Sequence, residues 1–125
     1  MKTIIAGSRN IQDYGLIEKA VKASKFIITE VVCGGANGVD RLGASWAMMN
    51  NIPVKYFLAE WDRYSKGAGT IRNRQMADYA DSLIAIWDGN SPGTGNMIKE
   101  AKIRKLHTYI LIGDQFFAST VGLND

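Results

Sequence analysis

A chain of 125 residues, 46% hydrophobic and 22% charged, has the size and composition of one soluble globular domain spanning residues 1–125. Its net charge of +3 suits an anionic ligand but is too small to mark a nucleic-acid binder by itself. One cysteine, Cys33, excludes an internal disulfide and fits a reducing cytoplasm, and a single histidine leaves no spaced set of metal ligands. No apolar run approaches the roughly 20 residues that cross a bilayer, and the opening MKTIIAGSR is too short for a signal peptide.

Strand and helix periods then alternate along the chain. KTIIAG is a short buried strand closed by Gly7, and YGLIEKAVKAS places Ile17, Ala20, Val21 and Ser24 at helical spacing. TEVVCG is a second strand. Val39, Leu42, Trp46 and Met49 mark one face of a helix over about residues 39–50. IPVKYFLA is a third strand, with Pro53 near its start where a missing N–H is tolerated. A polar loop, EWDRYSKGAGT, precedes a helix at IRNRQMADYA. DSLIAIW, GNMIKEAKIRK and HTYILIG complete the pattern as strand, helix and fifth strand. The basic cluster KEAKIRK reads as a solvated helix face. DQFFASTVGLND has no firm period; it is suited to covering a sheet edge or, through the apolar FFA, to joining a homo-oligomer.

This alternation predicts an α/β fold: a Rossmann-like doubly wound parallel sheet of about five strands with helices on both faces. In such a sheet every strand-to-helix loop lies at the carboxyl edge, where ligands bind. The loops on that edge are GSRN, GGANGVD, EWDRYSKGAGTIRN and DGNSPGTGN, the most glycine-rich or polar segments of the chain. Connections on the opposite edge are plain. Glycines needed only for tight turns would be shared by both edges.

Each loop offers a chemistry. Gly34, Gly35, Ala36 and Gly38 precede a helix whose first amides lack internal partners, which suits a phosphate. Asp40 is placed to cap those amides or to contact a ribose hydroxyl. Asp88, Gly89, Ser91, Gly93 and Thr94 form a second such helix start, in which Ser91 and Thr94 serve as caps or as donors to phosphate. Ser8 and Arg9 follow Gly7 at the end of the first strand, where a guanidinium can clamp an anion at two points. If Thr70 caps the next helix, Arg72 and Asn73 fall in its first turn, where a cation is locally unfavourable and so suggests a ligand. Trp61 and Tyr64 either stack on a nucleobase or pack their loop down. Trp46 and Trp87 read as core, Cys33 as an inert buried thiol, and His107 as the start of a strand.

The motifs IAGSR, CGGANGVDRLGASWA, AEWDRYSKGAGTIRNRQMADYAD and IAIWDGNSPGTGNMIKEAK, in that order, resemble the YspA-like (cpYpsA-related) branch of the SLOG superfamily over about residues 4–102. The resemblance implies a site for a nucleotide or nucleotide-derived small molecule, built from the glycine loops with Arg9 and Arg72, in a sensor or accessory factor. The sequence requires no cofactor and identifies none. Superfamily members that hydrolyse nucleoside monophosphates resemble PGGxGTxxE; this chain has Met97 where that glutamate falls, which weakens the hydrolase alternative. Asp40 and Asp88 remain as acid/base candidates. Binding of single-stranded nucleic acid, as in DNA-processing members, is the less favoured alternative.

Overall fold

The computed structural model describes residues 1–113 and the backbone of Gln115–Ser119. Strands β1 (Lys2–Gly7), β2 (Glu30–Cys33), β3 (Val54–Tyr56), β4 (Ser82–Trp87), β5 (His107–Ile112) and β6 (Gln115–Ser119) form one sheet in the order β3-β2-β1-β4-β5-β6. The first five run parallel, as the alternation predicts. β6 is an addition, pairing antiparallel with β5 and covering that edge after a turn at Gly113, whose φ is 60°. The side chains of Phe116, Phe117 and Ala118, which carry the expectation of self-association, lie outside the described residues.

Helices α1 (Tyr14–Ser24), α2 (Val39–Met49), α3 (Trp61–Tyr64), α4 (Ala68–Tyr79) and α5 (Pro92–Ile103) link the strands. Asp13 caps α1 by accepting from Gly15 N at 2.9 Å, and Lys25 ends it in a left-handed conformation. Proline at the first position of α5 has no N–H to leave orphaned. Alternation along β1 divides the core in two. Ile4 and Ala6 pack with Met76 and Ala77 of α4 and with Met97 and Ala101 of α5. Ile5 packs instead with Ile17 and Ala20 of α1 and with Val39 and Ala47 of α2. Helices therefore cover both faces. Among the described residues no helix is long and apolar enough to cross a membrane.

Three local expectations are corrected. The buried side of α2 is Val39, Asp40, Gly43, Ala44 and Ala47, whereas Met49 is 75% exposed and Leu42 and Trp46 flank the core. A Cβ on Gly43 would lie 2.5 Å from Ile5 Cγ2, so the helix rests too close to β1 for large residues to face the sheet. The segment read as one polar loop instead folds into α3, a 3₁₀ turn at Ser65–Gly67 and the start of α4. Trp87, like Trp46, is half-buried at the margin of the core rather than inside it.

β1 and β4 are neighbours, with Gly7 opposite Ile86, yet the chain leaves them toward opposite halves of the sheet. Diverging loops at such a switch point leave a crevice between them. A hollow lies there.

Candidate functional site

A cavity of about 420 Å³ opens at this switch point, within the range of small-molecule sites. It gathers side chains from β1's loop, the glycine turn before α2, helix α4 and the start of α5. Of the residues singled out from sequence, Gly7, Ser8, Arg9, Ala36, Asp40, Arg72, Asn73, Asp88, Ser91, Gly93 and Thr94 line it. Gly34 and Gly35 line a second hollow of about 270 Å³, which shares Arg9, Ala36 and Arg72 with the first. Gly38 and Gly89 line neither.

The floor is a hydroxyl and carboxylate lattice. Ser8, buried, fastens β1's loop to β4: its N donates to Ile86 O at 3.1 Å, and its Oγ accepts from Asp88 N at 3.0 Å. Asp88 Oδ1 accepts from Asn90 N and Ser91 N, both at 2.8 Å, and Oδ2 lies 2.9 Å from the Ser91 hydroxyl. The Ser91 and Asn90 amides hold this carboxyl down at about 2, so it is an ionised anchor for the turn into α5. Trp87 Nε1 donates to Ser91 O at 2.9 Å and fixes the same turn from its other side.

Asp40 occupies the glycine turn before α2. It is only 5% exposed, and its Oδ2 accepts from Ala36 N at 3.3 Å. Burial holds its pKa above the ordinary carboxylate range, and the Ala36 amide and the Arg72 charge offset this in part. Its partner is an amide of the turn and not one of the first amides of α2, which has no side-chain cap. That turn already holds a protein carboxylate where a phosphate was expected. Helix α5 differs, having no acidic residue in its first turn, with Gly93 and Thr94 facing the cavity.

Arg72 projects from the second turn of α4. The helix begins at Ala68, so Thr70 is not its cap and the helix-end conflict inferred for Arg72 does not exist. What places the guanidinium is tertiary. Its Nη1 donates to Gly34 O at 2.8 Å and its Nε to Asn73 Oδ1 at 3.0 Å. A Cβ on Gly34 would fall 2.3 Å from Nη1, so only glycine lets the guanidinium reach that carbonyl. Burial lowers the Arg72 pKa, Asp40 opposes that, and the nearby charge of Arg9 adds to it. Asn73 is a clamp with both ends engaged: its Nδ2 donates to Asn96 Oδ1 at 2.8 Å and to Gly93 O at 3.2 Å, binding α4 to α5.

Met76 and Met97 complete the wall and are almost wholly buried. The position of the hydrolases' glutamate is therefore an apolar surface. Glu100 is turned away, accepting from Arg104 Nη1 at 2.7 Å and standing 3.6 Å from Arg74 Nε. Asn10, Asn96, Met76 and Leu58 were not singled out from sequence, because a lone amide or apolar residue carries no spacing signal. Asn96 was findable only as the neighbour of a residue 23 positions earlier.

Cys33 is fully buried at the end of β2, and its thiol is pushed up to about 11 by burial and by Asp40. About one thiol in a thousand is then ionised at pH 8. Native protein is expected to resist alkylation there and to label fully in denaturant. Rapid native labelling would show that the strand end opens.

Residues 1–64, just over half of the chain, match the model of the YspA, cpYpsA-related SLOG family. The chain belongs to that family. This SLOG match takes in β1, the glycine turn and Trp61 but stops short of Arg72 and the loop into α5. The chain is also similar to the Gene 61 protein of Mycobacterium phage D29, 35% identical over 78 residues, covering 58% of this chain and 62% of the phage protein. Among solved structures it is similar to DNA processing protein A (DprA) from Streptococcus pneumoniae, with a TM-score of 0.73 at 17% identity over 90% of this chain and 50% of the other. That likeness shows the shared fold. The chain thus spans under two thirds of either relative.

Proposed function

We propose that this SLOG-family chain binds a nucleotide or nucleotide-derived small molecule at the β1–β4 switch point, as a sensor or accessory factor. One observation carries the reading. Arg9 and Arg72, which belong to different elements far apart in sequence, converge on one cavity where the charge of Arg9 disfavours that of Arg72. An anion between them relieves that repulsion. The start of α5, which has no acidic residue in its first turn and no side-chain cap, adds the positive end of its dipole beside it. Phosphate is assigned to this corner, at Arg9, Arg72, Gly93 and Thr94, rather than to the turn held by Asp40.

Hydrolysis of a glycosidic bond is the weaker reading, because Met97 puts a thioether where the hydrolases carry a carboxylate. A thermal-shift series with nucleoside monophosphates tests binding. Ligand at a hundred times its Kd stabilises by about 2.7 kcal/mol, a shift of several degrees in a domain of this size. Silence toward every nucleotide, confirmed by calorimetry, would remove the proposal. A steep fall of oligonucleotide affinity with salt would favour the nucleic-acid alternative.

A further inference from the structure

We infer that the smaller hollow around Trp61 is a base subsite, taking the planar aromatic end of a ligand whose phosphate lies in the larger cavity. The inference rests on the nucleotide reading and adds where the ligand's second half goes.

The two hollows are neighbours: Arg9, Ala36 and Arg72 line both, so an anion held by the guanidinium groups lies beside the smaller one. The larger is lined by Ser8, Asp40, Asp88 and Ser91 together with Met76, Pro92 and Met97. The smaller is bounded by the Gly34–Gly35 turn together with Leu58 and Trp61. Trp61 is 53% exposed and Leu58 64% exposed, an apolar pair left open to water beside two cations. An indole in this state gains by covering its face with another flat ring, because stacking removes apolar area from water and requires no particular edge pattern.

Gly35 has a φ of 76°, and a Cβ there would come 2.6 Å from Leu58 Cδ2, so Leu58 packs directly on the bare backbone of the turn at the edge of the hollow. The edge of the indole lies near Gly69 at the start of α4, its Cη2 3.6 Å from where a Cβ would stand. Asn37, exposed on the rim, offers both a donor and an acceptor to a base edge.

Calorimetry on Trp61→Ala and Trp61→Phe separates the two halves of the site, using AMP, GMP, CMP and UMP against the base-free ribose phosphate. The alanine variant is expected to lose about fivefold or more in affinity for the nucleotide that binds best, with the phenylalanine variant keeping most of it. Ribose phosphate should bind both variants as it binds the parent, which also shows that the fold is intact. Nucleotide should quench tryptophan emission in the parent, and Trp61→Phe should remove that quenching although Trp46 and Trp87 remain. Unchanged nucleotide affinity in Trp61→Ala would overturn the base subsite while leaving nucleotide binding standing. Equal loss of both ligands would make Trp61 a structural residue and also overturn it. Failure of every nucleotide to bind the parent would overturn both readings.

Discussion

Arg72→Ala is expected to abolish nucleotide-induced stabilisation, with affinity falling about a hundredfold or more. That magnitude corresponds to losing a charge-assisted contact with a phosphate in a partly enclosed site. The variant also disturbs the protein itself. Gly34 O loses the donor at 2.8 Å and Asn73 Oδ1 the donor at 3.0 Å, which together cost about 1–3 kcal/mol of stability. The loss should depend on pH. Asp40 has a folded-state pKa above its unfolded value, so its contribution to stability falls as pH rises through the folded pKa. Removing Arg72 takes away a charge that lowers that pKa and raises it further. Urea titrations should therefore find Arg72→Ala increasingly damaging as pH rises from below the ordinary carboxylate range to neutrality. Arg72→Lys keeps the charge but not the fork, so it should recover part of the pH effect and little of the binding. Arg9→Ala, at an exposed position, should weaken binding with stability nearly unchanged. Retained nucleotide affinity in folded Arg72→Ala would sink the assignment.

Gly38→Ala should be among the most destabilising single changes in the chain, although Gly38 lines neither hollow. Its φ is 76°, in a region side chains rarely adopt, and a Cβ would lie 2.5 Å from both Ser8 O and Arg9 O. Both obstacles are main chain and cannot rotate aside. Either the turn before α2 moves off β1's loop or the backbone changes region. A loss of about 3 kcal/mol or more is expected, lowering Tm by roughly 10 °C. Scanning calorimetry measures it directly. Gly93→Ala supplies the contrast, since its φ is not positive and a Cβ there meets no heavy atom within 4 Å. It should be neutral or slightly stabilising in α5. Equal damage at both positions would mean that close packing at the turn before α2 does not limit stability. Gly34→Ala is intermediate, because its closest clash is with the movable Arg72 guanidinium; it should cost no more than the Arg72 contacts and weaken binding.

The chain's periodicity by itself determined the parallel five-stranded frame, the bounds of α1 and β4 to within a residue or so, and the gathering of glycine-rich loops on one edge. These are consequences of local spacing, which an alternating β/α chain converts into a sheet with a defined loop edge. Only the tertiary structure assigned the glycines their separate jobs: Gly34 admits a guanidinium, Gly38 admits two carbonyl oxygens, and Gly35 meets a leucine. Arg72 was singled out on a helix-end argument that α4 does not support, yet it reaches the cavity through Gly34. Asp40 fills the cradle its own loop makes, and the large side chains of α2 are displaced from the sheet by its closeness to Ile5. In each case the deciding partner comes from another segment or is a close approach of backbones. Local patterns fix where a loop emerges, but which atoms meet across the crevice depends on packing distances that no short stretch of sequence contains.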